Sequence, residues 1–281
     1  MRPRLLICGA AGRMGRRIIA IVSEDGVFDI VGAVEKKGQP DIGKDAGIVA
    51  GVEGLSVKIT DAFAAEADVD STPSTSSGQA SSPQVVIDFS LAEAADGTID
   101  YCVENNAALV LGTTGLGAKQ REKIKAAASK IPVVCATNMS VGMNALFNLV
   151  GKVAALLGDD YDIEIVEQHH RFKKDAPSGS ALTLAENICK ATGKKFPDCL
   201  NFGRSGKDTQ RPKGQIGVHA VRAGDIVGIH SAIFSTLGET ITLNHTAHSR
   251  DTFARGALIA AKWLIGKKPG LYSMADVLGL K

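Results

Sequence analysis

Aromatic residues are scarce in this chain of 281 residues: Phe, Tyr and Trp together make up 5% of it, with one Trp. An excess of either charge is also missing. Lys and Arg number 32 against 30 Asp and Glu, a formal net charge of +2, too near neutral to argue for nucleic acid or an anionic membrane as partner. No unbroken apolar run approaches the roughly 18 residues of a membrane span. The apolar patch at 5–11 is short and runs into Arg13, Arg16 and Arg17, which makes a poor signal peptide. Cysteine pairing motifs are absent as well. The five cysteines, at 8, 102, 135, 189 and 199, form no CxxC and are odd in number, and four lie in strand- or helix-like stretches. They read as reduced packing residues of a cytoplasmic protein. Glycine, in contrast, is plentiful at 31 residues, and with 44% hydrophobic content that balance suits a soluble α/β protein with many tight strand-to-helix turns. The length fits one large or two medium domains.

The first turn of that kind is in "RPRLLICGAAGRMGRRIIAIVS", an apolar strand, a glycine turn and an amphipathic helix. Gly9, Gly12 and Gly15 make G-x-x-G-x-x-G, a variant of the commoner G-x-G-x-x-G. Such glycines permit a tight turn and close approach of a pyrophosphate, and the helix N-terminus faces that charge. Gly9, Ala10, Ala11, Gly12, Arg13 and Met14 are therefore candidate dinucleotide contacts. A second strand, "DIVGAVE", ends in Glu35, near the usual distance for an acid that binds the adenosine ribose hydroxyls. Lys36 and Lys37 follow, and either can meet a 2′-phosphate, so both NADH and NADPH are expected as cofactors. A solvated charge cluster closing a strand is the alternative. Further parallel-strand candidates recur at 85–90, 108–115 and 132–140, with helices at 92–106 and 117–129. In an open parallel sheet the ligand lies at the strand C-terminal ends. That places Gly112, Thr113, Thr114, Ala136, Thr137, Asn138 and Met139 along the dinucleotide. "STPSTSSGQASSP" (71–83) has almost nothing to bury and reads as a surface loop after a short helix near 61–67.

After Met139 the pattern changes. A helix near 142–157 leads to the strand "YDIEIVEQHH" and then to "RFKKDAPSGSA". Ser178 reads as a helix N-cap, with Ala181, Leu182, Leu184, Ala185, Ile188 and Cys189 at helical spacing behind it. Gly179 and Ser180 then sit in the first turn, where backbone N–H groups lack intrahelical partners and the positive pole of the helix attracts an anion. With Lys173 and two imidazoles beside it, the stretch suits an anion receptor with a proton donor. On these residues alone a solvated basic loop fits equally well. From 215 onward the chain alternates like antiparallel strands, with turns at 223–225 and 237–239. The fold class expected is α/β: a Rossmann-type doubly wound parallel sheet domain (1–139), plus an α+β domain with a mixed, largely antiparallel sheet (140–250). A final amphipathic helix region (251–281) packs back on the first domain.

The segments "GAAGRMGR" (9–16), "IDFS" (87–90), "GTTG" (112–115), "ATNMSVGMN" (136–144), "EQHHRFKKDAPSGSA" (167–181), "GQIGVHAVRAGDIVG" (214–228) and "GLYSMADVLGL" (270–280) together resemble the 4-hydroxy-tetrahydrodipicolinate (dihydrodipicolinate) reductase family of lysine and diaminopimelate biosynthesis. The resemblance covers nearly the whole chain. It implies NAD(P)H-dependent reduction of a ring dicarboxylate, with His169 as general acid/base and Lys173 supplying a proton and positive charge. It further implies substrate binding by His170 and by the Gly179 and Ser180 backbone, and a homotetramer joined through the second domain. Three departures stand out: Ser180 where Thr is usual, Ala223 where Gly is frequent, and a longer Ser-rich segment.

His219, His230, His245 and His248 remain. "HTAH" lacks a carboxylate or Cys in ligand spacing, so no metal site is expected. Arg204, Lys207, Arg211 and Lys213 form either a loop that screens substrate carboxylates or a solvated loop. An aspartate-type amino-acid dehydrogenase would share the glycine turn but has no reason to carry "HHRFKKDAPSGSA". A catalytically silent dinucleotide sensor would have lost His169 and Lys173.

Overall fold

A computed structural model describes residues 1–63 and 82–280. The Ser-rich expectation (71–83) falls outside these residues apart from Ser82 and Pro83, as does most of the helix expected near 61–67, of which residues 61–63 are described and not helical. The chain divides into two compact units, Met1–Ser140 with Asp251–Gly279, and Val141–Arg250 with Leu280.

In chain order the first unit begins with β1 (Arg4–Cys8), α1 (Arg13–Asp25), β2 (Asp29–Val34), α2 (Ala46–Ala50), β3 (Ile59–Thr60), β4 (Val85–Asp88), α3 (Ala95–Glu104), β5 (Ala108–Leu111), α4 (Ala118–Ala128) and β6 (Pro132–Cys135). The second unit follows with α5 (Val141–Leu157), β7 (Asp162–His169), α6 (Gly179–Thr192), β8 (Leu200–Asn201), β9 (Ile216–Arg222), β10 (Gly228–Thr236) and β11 (Glu239–Ala247). The chain then returns to the first unit as α7 (Asp251–Leu264), β12 (Gly270–Tyr272) and α8 (Met274–Leu278).

The first unit is a seven-stranded parallel sheet in the order β12-β6-β5-β4-β1-β2-β3. Its strands are apolar on both faces, and side chains alternate between two cores as the strand period requires. Leu5, Ile7, Val85, Ile87 and Val110 join one core with Ile18, Ile19 and Leu258. Leu6, Cys8, Val86, Leu109 and Leu111 join the other with Ile99, Cys102 and Ile124. Strand order reverses between β1 and β4, and the loops after these two strands meet there. A Cβ on Gly9 would lie 2.8 Å from the Phe89 carbonyl oxygen, so glycine is required for both its φ of +76° and this approach.

The second unit is a mixed sheet in the order β11-β10-β7-β9-β8, backed by α5 and α6. The mixed sheet agrees with expectation, but the turn at 223–225 does not close a hairpin. β9 pairs parallel to β7, β10 pairs antiparallel to β7, and β7 lies between them. The connection instead passes over the end of β7, where Ala223 N–H donates to the His169 carbonyl and Arg171 N–H to the Gly224 carbonyl. Local alternation cannot distinguish a hairpin from two strands that flank a third, because both give the same period of two.

A second correction concerns α5. With its last 3-10 turn it forms a helix, Val141–Asp160, of mean hydropathy 1.4, long and apolar enough by length and composition to cross a membrane. The expectation of no such stretch considered unbroken runs, and Asn144, Asn148 and Lys152 interrupt this one without making it polar on average. In the fold one face of it packs into the core, while Val141, Leu149 and Leu156 are exposed. Met143, Leu146, Val150 and Ala154 are buried against the sheet and α6, while Gly151 lets the helices meet: a Cβ there would lie 3.1 Å from the Asn187 carbonyl oxygen.

Candidate functional site

At the switch point of the first unit, β1 ends in the glycine turn. Gly9 and Ala10 N–H donate to the Val34 carbonyl (2.9 and 3.1 Å), and Gly12 N–H donates to the Gly9 carbonyl (3.0 Å). Gly15 sits where a Cβ would be 2.2 Å from the Gly9 carbonyl oxygen, so the first turn of α1 is pressed against the loop. Gly12 is the N-cap of α1, and no side chain caps it among the described residues. The first-turn N–H groups at Arg13 and Met14 are thus left for an anion. Arg13 is exposed and Met14 half-buried; Arg16 is taken up by the Ala11 carbonyl and Asp41.

Glu35, just past β2, accepts from Ala11 N–H (3.1 Å) and Lys36 N–H (2.9 Å), which turns its carboxylate towards the glycine loop. Glu35 and Lys36 line a cavity of about 470 Å³ with Gly9, Phe63, Ser90 and Leu91. These residues fit a nucleotide: a helix N-terminus for phosphate, a carboxylate for hydroxyls and a ring for a base.

Farther along the same sheet edge, Gly112 N–H donates to the Asp88 carbonyl (2.9 Å), and a Cβ on Gly112 would meet the Phe89 ring at 2.4 Å. Thr113 is buried and its hydroxyl donates to Asp88 Oδ1 (2.8 Å), whereas Thr114 is exposed. Ala136 N–H donates to the Leu111 carbonyl, Thr137 is exposed, and the Asn138 side chain accepts from Ser140 N–H. Met139 is buried as a whole, its side chain in the core and its carbonyl against Gly256 of α7, so this residue is not at the surface of the sheet edge.

Asp88 was not among the sequence candidates. It is fully buried at the end of β4, and its Oδ1 also accepts from Ser90 N–H (2.7 Å) and the Ser90 hydroxyl (2.6 Å). One carboxylate therefore ties the loop after β4 to the loop after β5.

In the second unit the inner face of the sheet changes character along β7. Ile163 lies between Ile216 and Phe234, and Ile165 between Val218 and Ala232. The next rung is Glu167 between Ala220 and His230, and the last carries His169 opposite Arg222. Strand alternation that begins in the core thus ends in a row of titratable groups. His169 Nδ1 lies 2.5 Å from Glu167 Oε2. The His230 ring stands edge-on to that of His169, with centroids 5.1 Å apart. Burial drives the His230 pKa down to about 3, and the neighbouring His169 charge acts in the same direction, so His230 is neutral.

Lys173 Nζ pairs with Asp175 Oδ1 at 2.8 Å, and Lys173 N–H donates to the His170 carbonyl. Ser178 caps α6: its hydroxyl accepts from Ala181 N–H (3.2 Å) and lies 3.2 Å from His230 Nε2. Gly179 and Ser180 begin the helix. The structure thus brings His169, Lys173 and the α6 N-terminus to one end of the second unit, with His170 next in the chain.

Glu167 and Arg222 were absent from the sequence candidates. A signal existed: Ile163, Ile165, Glu167 and His169 share one strand face, and a carboxylate at an inward position is unusual enough to need a partner. Two basic candidates lie elsewhere. Arg204 and Arg211 both bind Glu164, at 3.1 and 2.9 Å, on a β7 residue of alternate parity to His169, and His219 Nε2 lies 2.6 Å from the same carboxylate. A loop that screens substrate carboxylates is therefore not their arrangement here.

Comparison with known proteins gives the family. Residues 3–139 match the family model described as dihydrodipicolinate reductase, N-terminus, and residues 142–278 match its C-terminus counterpart. The chain is 46% identical over 279 residues to the 4-hydroxy-tetrahydrodipicolinate reductase of Anaeromyxobacter dehalogenans, covering 99% of this chain and 98% of that one. It is 42% identical over 278 residues to the enzyme of the same name from Geotalea uraniireducens, covering 99% of each. In fold it resembles the dipicolinate-bound dihydrodipicolinate reductase from Paenisporosarcina sp. TG-14, with a TM-score of 0.71 at 21% identity over 98% of this chain and 99% of that one. Family-model matches that together span both units and full-length similarity at this level lead to one conclusion: the chain belongs to the dihydrodipicolinate reductase family.

Proposed function

We propose that the protein converts 4-hydroxy-tetrahydrodipicolinate, with loss of its hydroxyl as water and reduction of the resulting unsaturated ring by NADH or NADPH, to tetrahydrodipicolinate, a step of lysine and diaminopimelate biosynthesis, and that His169 is its general acid. The first unit holds the dinucleotide, through Gly9–Met14, Glu35, Lys36 and the loops at 112–114 and 136–139. The dinucleotide, when bound, supplies the hydride. The second unit binds the ring substrate. The observation that carries the assignment is the placement of His169, with its Nδ1 on a buried carboxylate, at the end where α6 begins and Lys173 lies. A ring dicarboxylate needs backbone donors for one carboxylate, which Gly179 and Ser180 offer at the positive end of α6. It needs cationic or hydrogen-bonding side chains for the other, which His170 and Lys173 offer. His169 holds a proton at Nε2 for the ring as negative charge builds on it, and Lys173 stabilises that charge.

We further assign the active form as a homotetramer of cytoplasmic enzyme, with neither nucleic acid nor membrane as partner. The apolar side chains exposed on and beside β11, Ile241 and Leu237, support an interface there, and five cysteines with no disulfide among the described residues support a reducing compartment. The test is NAD(P)H oxidation with substrate generated in situ from pyruvate and aspartate semialdehyde. Turnover that requires both precursors is expected; no oxidation above the dinucleotide-only rate would overturn the assignment.

A further inference from the structure

Glu167 is fully buried, yet neither hydride delivery nor substrate binding uses it. Its two oxygens accept four hydrogen bonds. Oε1 takes Ser178 N–H (2.9 Å) and Arg222 Nη2 (2.7 Å); Oε2 takes His169 Nδ1 (2.5 Å) and Arg222 Nη1 (2.8 Å). Four donors fill the acceptor capacity of a carboxylate. Burial alone would push its pKa up, but the bonds from His169, Arg222 and Ser178 outweigh burial and hold it down to about 2, so it is ionised throughout the working range. Arg222 also donates from Nη2 to the Asp175 carbonyl (2.7 Å), in the loop that carries Lys173.

We infer that Glu167, clamped by Arg222, is the positioning residue for His169: it receives the Nδ1–H, fixes the ring, and leaves Nε2 as the nitrogen that exchanges the proton. This rests on the reading of His169 as the acid, and adds the group that sets its tautomer and proton affinity. A purely architectural Glu167 would account for Ser178 and Arg222, which dock α6 and β9. It would not need its Oε2 at hydrogen-bond distance from the imidazole. A ring flip would exchange Nδ1–H for a C–H at the carboxylate and forfeit a charge-assisted bond, so one orientation persists.

The far side of the ring is kept open by the absence of a side chain. A Cβ on Gly228 would stand 3.2 Å from His169 Nε2. The charged and titratable groups around the imidazole include Glu167 on its own strand, Arg222 opposite it on β9 and neutral His230 on β10, while Lys173, whose charge acts on His230, pairs with Asp175 on the following loop. A carboxylate beside an imidazole favours its protonated form, and a nearby guanidinium or ammonium disfavours it. The two members of the clamp therefore act on His169 with opposite sign.

The test uses full-length enzyme carrying ring-labelled histidine, with the His169 resonance assigned by its loss in His169→Gln. Its NMR titration and the pH profile of kcat are followed in Glu167→Gln and Arg222→Gln. In Glu167→Gln the titration is expected about 1–3 pH units lower, with the alkaline limb of kcat moved by the same amount and kcat at neutral pH reduced about 10- to 100-fold, as when a histidine loses its orienting partner. In Arg222→Gln the titration is expected to rise. A titration that stays put in both variants, or moves the same way in both, overturns the inference whatever acid the enzyme uses. Opposite shifts with an unmoved kcat limb remove His169 as the acid, and the positioning role falls with it. Should Glu167→Gln fail to fold, the direction in Arg222→Gln decides alone: a rise supports the inference and no rise overturns it.

Discussion

Single side chains in this protein act through what lies within hydrogen-bond reach, and two substitutions read that directly. Lys36 follows Glu35 at the end of β2 and lines the same cavity, where we propose the nucleotide binds. A carboxylate favours a free 2′-hydroxyl and an ammonium favours a 2′-phosphate. Lys36→Ala is therefore expected to raise the KM for NADPH while leaving that for NADH nearly unchanged; equal losses with both would mark Lys36 as merely structural or solvated. Gly228 is the second case. Gly228→Ala places a methyl 3.2 Å from His169 Nε2, closer than side chains ordinarily approach, and should lower kcat more than KM in steady-state kinetics. The glycine turn and Glu35 are legible in the sequence because each sits in a local pattern with a known spacing, whereas the proposed roles of His169 and Lys173 come from the resemblance of "EQHHRFKKDAPSGSA" to the family. Glu167, Arg222 and Asp88 were not, because what identifies them is a partner on another strand or loop, and pairing register is not written in any short stretch.

Whole elements explain why the second unit offers its site at one end. β7 carries apolar residues inward for two rungs and titratable ones for the next two, and α6 starts beside the latter with Ser178 bound to Glu167 through its N–H. The helix-start signal at Ser178 was readable from sequence, and so was the alternation of β9 and β10, but not that β7 separates them. A consequence belongs to α6. Ser180→Ala keeps the backbone N–H at the second helical position and should change KM for the ring substrate little. Ser180→Pro removes that N–H and is expected to raise this KM strongly with the helix intact, since proline is tolerated in a first turn. Circular dichroism checks the helix; equal KM values in the two variants would exclude backbone capture of a substrate carboxylate.

At the scale of the molecule, the buried titratable row makes stability depend on acid. The His230 pKa is about 3 in the fold against an ordinary value of 6.5, so below pH 6.5 the unfolded chain takes up a proton that the fold does not. Stability contributed by neutral His230 is intact above pH 6.5 and falls by about 1.4 kcal/mol per pH unit beneath it. Glu167 acts later: its folded pKa near 2 lies below the ordinary value of 4.5, so its contribution is complete above pH 4.5 and lost between there and pH 2. Calorimetry between pH 7 and pH 4.5 should therefore show Tm falling less steeply in His230→Gln than in the parent protein. Parallel curves would mean that His230 protonates freely in the fold.

The composition indicated an α/β chain without extreme charge, and the two sheets follow from it. The assignment of the dinucleotide to one unit and proton donation to the other is tested most directly by His169→Gln, in which kcat for the ring substrate and the NADH dissociation constant are measured on the same preparation. The account predicts that kcat falls about 10²- to 10⁴-fold, as for removal of a general acid, with NADH affinity unchanged. Near-normal kcat would contradict it.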